Sequence, residues 1–415
     1  METLLIVLVL LVATRLGGLI ATRLGQPMLV GELIAGVALG LILAGCTLDP
    51  ALIELGQEHH VMALTDLGIF FLMLLGGLEM RPRELVESGV RSMVVATCAM
   101  VLPLSAGFAV AWLWLPSSDL RFAQALFVGT ALSITAVPVT IRVLIDMNRL
   151  NTRIGRLIVS AAVFDDLLSL VLLSILTATL GNGQFLEGLP LALIPLRVLA
   201  FVALVYALGT FLMPPLARFV VGLGVEEMGF SFILVIGALF SLLAELLGLH
   251  FILGAFAAGL FFGRETVNSQ LYDDLRHKIA AITNGFLAPI FFASIGLELE
   301  LSAIREVPLF LLTLIIVAFL GKLLGAALPA RLFGIPAPEA WAIGTAMSAR
   351  GAVELIIAGI ALRAGLFDTG AADSAIVANL FSVVVLVAIV TTIAAPIGLR
   401  LALSQAPRAG GNGPT

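Results

Sequence analysis

Apolar runs long enough to cross a lipid bilayer follow one another through almost all of this chain. No other feature constrains its fold as strongly. In hydrocarbon the backbone polar groups must be satisfied within the protein, so each run reads as a spanning helix. Of the 415 residues, 60% are hydrophobic and 12% charged, and the mean hydropathy is +1.15. Soluble domains do not have this composition. The expected architecture is an all-α polytopic membrane protein of about thirteen transmembrane helices. The spans are predicted at 4–22, 27–44, 61–80, 92–115, 122–147, 155–180, 190–220, 229–248, 250–263, 279–298, 308–333, 339–364 and 374–403. Leu4 to Ile20 lacks a basic flank and reads as the first span, not a cleaved signal. Residues 404–415, rich in Gly and Pro, read as a flexible tail with no further folded domain in it. Cys46 and Cys98 fall in separate segments and offer neither a disulfide framework nor a metal spacing.

Charge is confined mostly to the connections, and its sign alternates. Arg81, Arg83 and Arg91 follow the third span, Arg149, Arg153 and Arg156 the fifth, and Arg264, Arg276 and Lys278 the ninth. The intervening connections carry Asp49, Glu54 and Glu58, then Asp119, then Asp368 and Asp373. Positively charged loops stay in the cytoplasm. The N-terminus is therefore expected outside and the tail inside, in a multi-pass protein of the cell's inner (plasma) membrane.

Against this background a few buried charges stand out. The run IVSAAVFDDLLSLVLLSILT, residues 158–177, carries Asp165 and Asp166 near its middle. A carboxylate at the centre of a spanning helix costs roughly 2.5–3.5 kcal/mol to insert. Such a group normally faces a wet cavity or a partner. Neighbours on a helix point about 100° apart, so the two carboxylates cannot face one partner equally. The chain has only two lysines, and Lys322 lies inside FLLTLIIVAFLGKLLGAAL, residues 310–328. A lone ammonium there needs a counter-charge, and Asp165 or Asp166 is the natural one. Oxygen ligands of this kind suit a proton or a small hard cation such as Na+.

An internal repeat is also visible. Gly31, Ala35, Gly36 and Gly40 have the spacing of Gly254, Ala258, Gly259 and Gly263. Gly77-Leu78-Glu79 recurs as Gly296-Leu297-Glu298, Gly129 to Ser133 recurs as Gly344 to Ser348, and Ser160-Ala161 recurs as Ser374-Ala375. The matched spans are seven apart, an odd number, so the copies run in opposite senses. Inverted repeats of this kind recur in secondary transporters. The repeat aligns span five with span twelve, and Asp165 with Asn379. Span five contains Ser133, Thr135 and Pro138 in mid-run, and span twelve contains Ser348, Arg350 and Gly351 at the equivalent depth. Both read as helices broken near the midplane, where freed carbonyls and half-helix ends form ion sites. The hydroxyls of Ser133 and Thr135 would add oxygens beside the Asp pair. Arg350 and Glu354, four apart, are expected to pair along one face and steady the broken helix. Arg142 is placed toward the cytoplasmic end of span five, and Glu32 and Glu245 at a cavity edge or interface.

GTALSITAVPVTIRVL, AAVFDDLL, LGKLLGAAL and SARGAVELIIAG together resemble the monovalent cation:proton antiporter-2 family, and within it the bacterial sodium/proton antiporters. The similarity runs from the first span to the last. It implies the sodium/proton antiporter fold, with the two discontinuous helices crossing. It also implies a homodimer whose scaffold helices are 4–80 and 229–298. The core transport helices would be 92–180 and 308–403, with 190–220 as a linking helix. Residue by residue, Asp166 matches the cation- and proton-binding carboxylate, and Asp165 matches the carboxylate paired with the buried lysine, here Lys322. Ser133 and Thr135 match the broken-helix positions near the ion. Potassium-efflux relatives usually have Gln-Asp at the pair, whereas this chain has Asp-Asp.

The function expected from all this is antiport of a monovalent cation, Na+ or Li+, against protons by alternating access, with net charge movement. K+/H+ antiport is the alternative, and a sodium-coupled organic anion symporter on a similar scaffold is a more distant one. The partners would be monovalent cations, protons and lipid, with no nucleic acid and no cofactor beyond the transported ions. An intramembrane aspartyl protease is disfavoured, because adjacent carboxylates on one helix cannot face each other across a substrate.

Overall fold

A computed structural model of the chain describes residues 2–45, 59–79, 89–135, 140–141, 143–144, 147, 149, 152–180, 194–216, 227–262, 269–367 and 374–405. Pro138 and Arg142 lie outside the described residues, as do Cys46 and the loop charges Asp49, Glu54, Glu58, Arg81, Arg83, Arg264, Asp368 and Asp373. The described residues include no strand. Every predicted span has its helix. The first eight are α1 (Glu2–Arg23), α2 (Met28–Gly45), α3 (His59–Glu79), α4 (Gly89–Trp114), α5 (Arg121–Ser133), α6 (Arg153–Leu180), α7 (Ile194–Ala207) and α8 (Met228–Leu246). There follow α9 (Phe251–Phe261), α10 (Ser269–Ile282), α11 (Ala288–Leu297), α12 (Pro308–Leu332), α13 (Ala337–Met347), α14 (Ala352–Arg363) and α15 (Leu380–Gln405). A π-helical turn, Thr283–Leu287, joins α10 to α11 in one span. Among the described residues, nine helices are long and apolar enough to cross a membrane. Polar side chains within them mostly serve their own backbone. Thr14, Thr22, Thr97, Thr313 and Thr391 each return a hydroxyl to the carbonyl four residues earlier, at 2.7–2.8 Å.

The chain divides into two compact units, Met1–Pro82 with Leu173–Leu299, and Arg83–Leu172 with Glu300–Thr415. In the first unit, glycines let backbones touch. A Cβ on Gly36 would overlap the Ala293 carbonyl, and one on Gly259 would overlap the Leu74 carbonyl. A Cβ on Gly296 would overlap the Leu33 carbonyl and sit 2.8 Å from the Val37 nitrogen. One on Gly77 would overlap the Phe256 carbonyl and sit 2.9 Å from the Leu260 nitrogen. When the two copies are aligned as in the sequence, each contact maps onto another. Gly36 corresponds to Gly259 and Ala293 to Leu74, while Leu33 and Val37 correspond to Phe256 and Leu260. Glu32, expected at a cavity edge or interface, is 4% exposed and pairs with Arg15 of α1 at 3.5 Å. Arg15 also donates to the Asn284 carbonyl in the π-helical turn, so the charge is held by its own unit.

In the second unit small residues again bring helices together, as membrane interiors favour. A Cβ on Gly321 would sit 2.9 Å from that of Pro103, which brings α12 against α4 beside Lys322. A Cβ on Gly129 would sit 2.6 Å from the Leu104 carbonyl oxygen, and one on its repeat mate Gly344 would sit 2.5 Å from that of Leu323. Around them Ala96, Ala99, Ala326, Ala327, Ala330, Ala340 and Ala346 form a core exposed by no more than 1%. Two spans of this unit are interrupted. α5 stops at Ser133, with Ile134 extended (φ −83°, ψ 146°), and helix resumes at Thr140. α13 stops at Met347, and α14 starts only at Ala352.

Candidate functional site

An interrupted helix leaves its last four carbonyls without intrahelical donors. In an apolar interior each must find another. At the end of α13 the Gly344 carbonyl accepts from the Ser348 hydroxyl (2.9 Å), and Thr345 accepts from the Ser348 N–H (3.1 Å). The Ala346 carbonyl accepts from the Thr140 hydroxyl (2.7 Å), and Met347 accepts from the Thr135 hydroxyl (3.0 Å). At the end of α5 the Thr130 carbonyl accepts from the Ser133 hydroxyl (2.7 Å). The next two, Ala131 and Leu132, accept from the two terminal nitrogens of Arg350. The two breaks therefore face each other, and each closes the other's open end. Arg350 also pairs with Glu354 at 3.1 Å, while the Thr392 hydroxyl of α15 is shared between the Ala388 carbonyl of its own helix (2.6 Å) and the Arg350 carbonyl (3.0 Å). Arg350 and Glu354 are 1% and 0% exposed.

The charged pair lies alongside. α6 holds Asp165 and Asp166 near its midpoint. Asp165 is fully buried and Asp166 is partly exposed, as the 100° step between neighbours requires. Lys322, fully buried in α12, donates to both carboxylate oxygens of Asp165, at 2.9 and 3.0 Å. It donates a third bond to the Thr135 hydroxyl at 2.6 Å. Asp166 has no hydrogen-bonding partner among the described residues. The arrangement offers one carboxylate neutralised by lysine and one open to a solvent-borne cation or proton.

The residues singled out in the sequence are therefore not equivalent here. Asp165, Asp166, Lys322, Thr135, Arg350 and Glu354 gather around the breaks, and Gly351 lies in the gap between α13 and α14. Ser133 donates its hydroxyl hydrogen to Thr130 of its own helix, and the Thr135 hydroxyl donates to Met347 and accepts from Lys322. Asn379 bonds Glu306 (2.8 Å), Ser302 (3.3 Å) and the Ala375 carbonyl, not either interrupted helix. Pro138 lies outside the described residues. Thr140 and Thr392 were not anticipated. Their only sequence signal is a hydroxyl inside an apolar run, which most self-bonded threonines share.

The family profile described as "Sodium/hydrogen exchanger, transmembrane" matches residues 6–405. A Bacillus cereus protein named GerT, a probable Na(+)/H(+) antiporter, is 32% identical over 86% of this chain and 90% of its own length. The Na(+)/H(+)-K(+) antiporter GerN of the same organism is 31% identical, over 93% of this chain and 92% of its own. In structure, the chain is similar to the sodium proton antiporter MjNhaP1 of Methanocaldococcus jannaschii. The TM-score is 0.67 at 18% identity, covering 97% of this chain and 98% of that one.

Proposed function

Since the chain belongs to the transmembrane sodium/hydrogen exchanger family, it is a cation/proton antiporter, and we propose that Na+ is its cation and Asp166 the group that carries it. The observation behind this assignment is the inequality of the two carboxylates. Asp165 is engaged by Lys322, and Asp166 is partly exposed without such a partner. Proton and cation then compete for Asp166. Protonation releases the cation, and cation binding expels the proton. When the cation also draws on Asp165, Lys322 loses its counter-charge and gives up its proton to solvent. Two protons then leave for each cation that enters, and net charge moves. Alternating access exposes the site first to one side of the membrane and then to the other.

In this reading the second unit, which holds every residue of the site, is the transport core, and the first is the scaffold through which a homodimer forms. The protein sits in the cell's inner (plasma) membrane with its N-terminus outside, needs no cofactor, and catalyses no covalent chemistry. K+ exchange is the second reading, favoured by the naming of GerN as a Na(+)/H(+)-K(+) antiporter. The test is dequenching of a pH-sensitive dye in proteoliposomes, titrated with Na+, Li+ and K+, for the wild type and Asp166→Asn. Loss of exchange in the variant is expected, and full exchange would sink the assignment. A lower half-saturating concentration for K+ than for Na+ would move the assignment to the second reading.

A further inference from the structure

The two helix crossings are built from matching positions. In the repeat alignment Thr135 corresponds to Arg350, and Leu132 to Met347. Arg350 reaches across to the Leu132 carbonyl, and Thr135 reaches across to the Met347 carbonyl. At the first crossing the donor carries its own permanent charge. At the second the donor is a short neutral hydroxyl, and the charge stands one bond behind it, on Lys322. Lys322 in turn corresponds to Pro103 in the other copy, so that copy has no amine at this place. A threonine and a lysine together thus do what a single arginine does at the mate position.

We infer that Thr135 is a positioning residue that holds Lys322 when the transported cation takes Asp165, and not a ligand of that cation. The hydroxyl donates its one hydrogen to Met347 and offers a lone pair to the lysine, which is the direction needed to keep an amine in place. Among the described residues, Asp165 and Thr135 are the hydrogen-bonding partners of Lys322. When the first is drawn off, the second keeps the amine in its pocket and on the end of α13. Without Thr135 the cation-loaded state leaves a buried amine with no partner, whereas the empty state still has the ion pair. The cost falls on loading. This deepens the site assignment above and rests on it.

The test is a double-mutant cycle on exchange in proteoliposomes. Thr135→Val keeps the shape and removes the hydroxyl, and Thr135→Ser restores it. In the otherwise natural protein, Thr135→Val is expected to raise the half-saturating Na+ concentration about ten-fold, since a buried group loses its partner. Thr135→Ser should stay within about two-fold of wild type. In a Lys322→Gln background, Thr135→Val should add no more than about two-fold. An equal rise in both backgrounds makes Thr135 a cation ligand and overturns the inference, as does no rise in the natural background. Should the lysine variants carry too little flux to measure, Na+-dependent thermal stabilisation of the purified proteins reads the same cycle by the same criteria. Wild-type protein that exchanges no cation for protons would overturn the function itself, an outcome separate from these.

Discussion

Arg350 allows the packing argument to be tested independently of transport. Its side chain serves the Ala131 and Leu132 carbonyls and the Glu354 carboxylate, all in a region exposed by no more than 1%. Arg350→Met removes all three bonds while leaving comparable apolar bulk. Each orphaned buried carbonyl costs roughly 1–3 kcal/mol, so the two set a floor near 2 kcal/mol. Stranding the Glu354 carboxylate brings the total toward roughly 5 kcal/mol. Arg350→Lys keeps the charge, but a single nitrogen cannot reproduce the planar fork, so its cost should be intermediate. Glu354→Gln leaves both carbonyls capped and keeps an acceptor for Arg350, but removes the counter-charge of a buried guanidinium, and should cost roughly 3 kcal/mol. The bond from Thr392 reaches the backbone of Arg350 and survives every substitution. For protein purified in one detergent, the wild type is expected to have the highest thermal midpoint and Arg350→Met the lowest, with Glu354→Gln and Arg350→Lys between them. If Arg350→Met melts no lower than Glu354→Gln, the carbonyls are not what Arg350 is there to satisfy, and the account of the crossing fails.

Other outcomes follow from the same geometry. Lys322→Ala should still exchange Na+ for H+ but become insensitive to an imposed membrane potential, read with a voltage dye alongside the pH dye. Because protons and the cation compete for Asp166, lowering the pH raises the half-saturating Na+ concentration, with a limiting slope of about ten-fold per pH unit for one competing proton. A flat dependence across the acid range would exclude a shared carboxylate. Gly36→Ala and Gly259→Ala should destabilise the purified protein to a similar degree, since each new Cβ overlaps a corresponding carbonyl, Ala293 or Leu74. A large cost at one and none at the other would break the correspondence between the copies.

Much of this was legible in the sequence because charge inside apolar runs is conspicuous. Asp165, Asp166 and Lys322 stand out against FDDLL and LGKLL, and the glycine spacing exposes the repeat. Ser348-Ala349-Arg350-Gly351 marked a break that lies where α13 stops. What the sequence left open was direction. Helical spacing says that Asp165 and Asp166 diverge, but only the tertiary structure, which sets Lys322 of α12 beside α6, shows that the lysine takes Asp165. The hydroxyls of Ser133 and Thr135 sit at the right depth for a cation, and nearby carbonyls compete for each hydroxyl hydrogen. That competition depends on which helix end lies opposite, a fact of tertiary structure. The setting of Glu32 was hidden for the same reason. Its partner Arg15 lies on another helix, and the link to the Asn284 carbonyl needs a π turn that no local pattern announces.

The reciprocal glycine contacts of the first unit also bear on how the protein is made. α2 closes against α11 and α3 against α9, so the early helices have their partners late in the chain. At about 5–20 residues per second of synthesis, α2 waits on the order of tens of seconds between its own completion and the arrival of Ala288. Until those partners arrive, Gly36 and Gly77 present bare backbone to lipid, or to whatever insertion machinery shelters them. A ribosome stalled before α9 would leave α2 and α3 without the late helices they close against. Two such halves, produced as separate chains, would each carry what the other lacks.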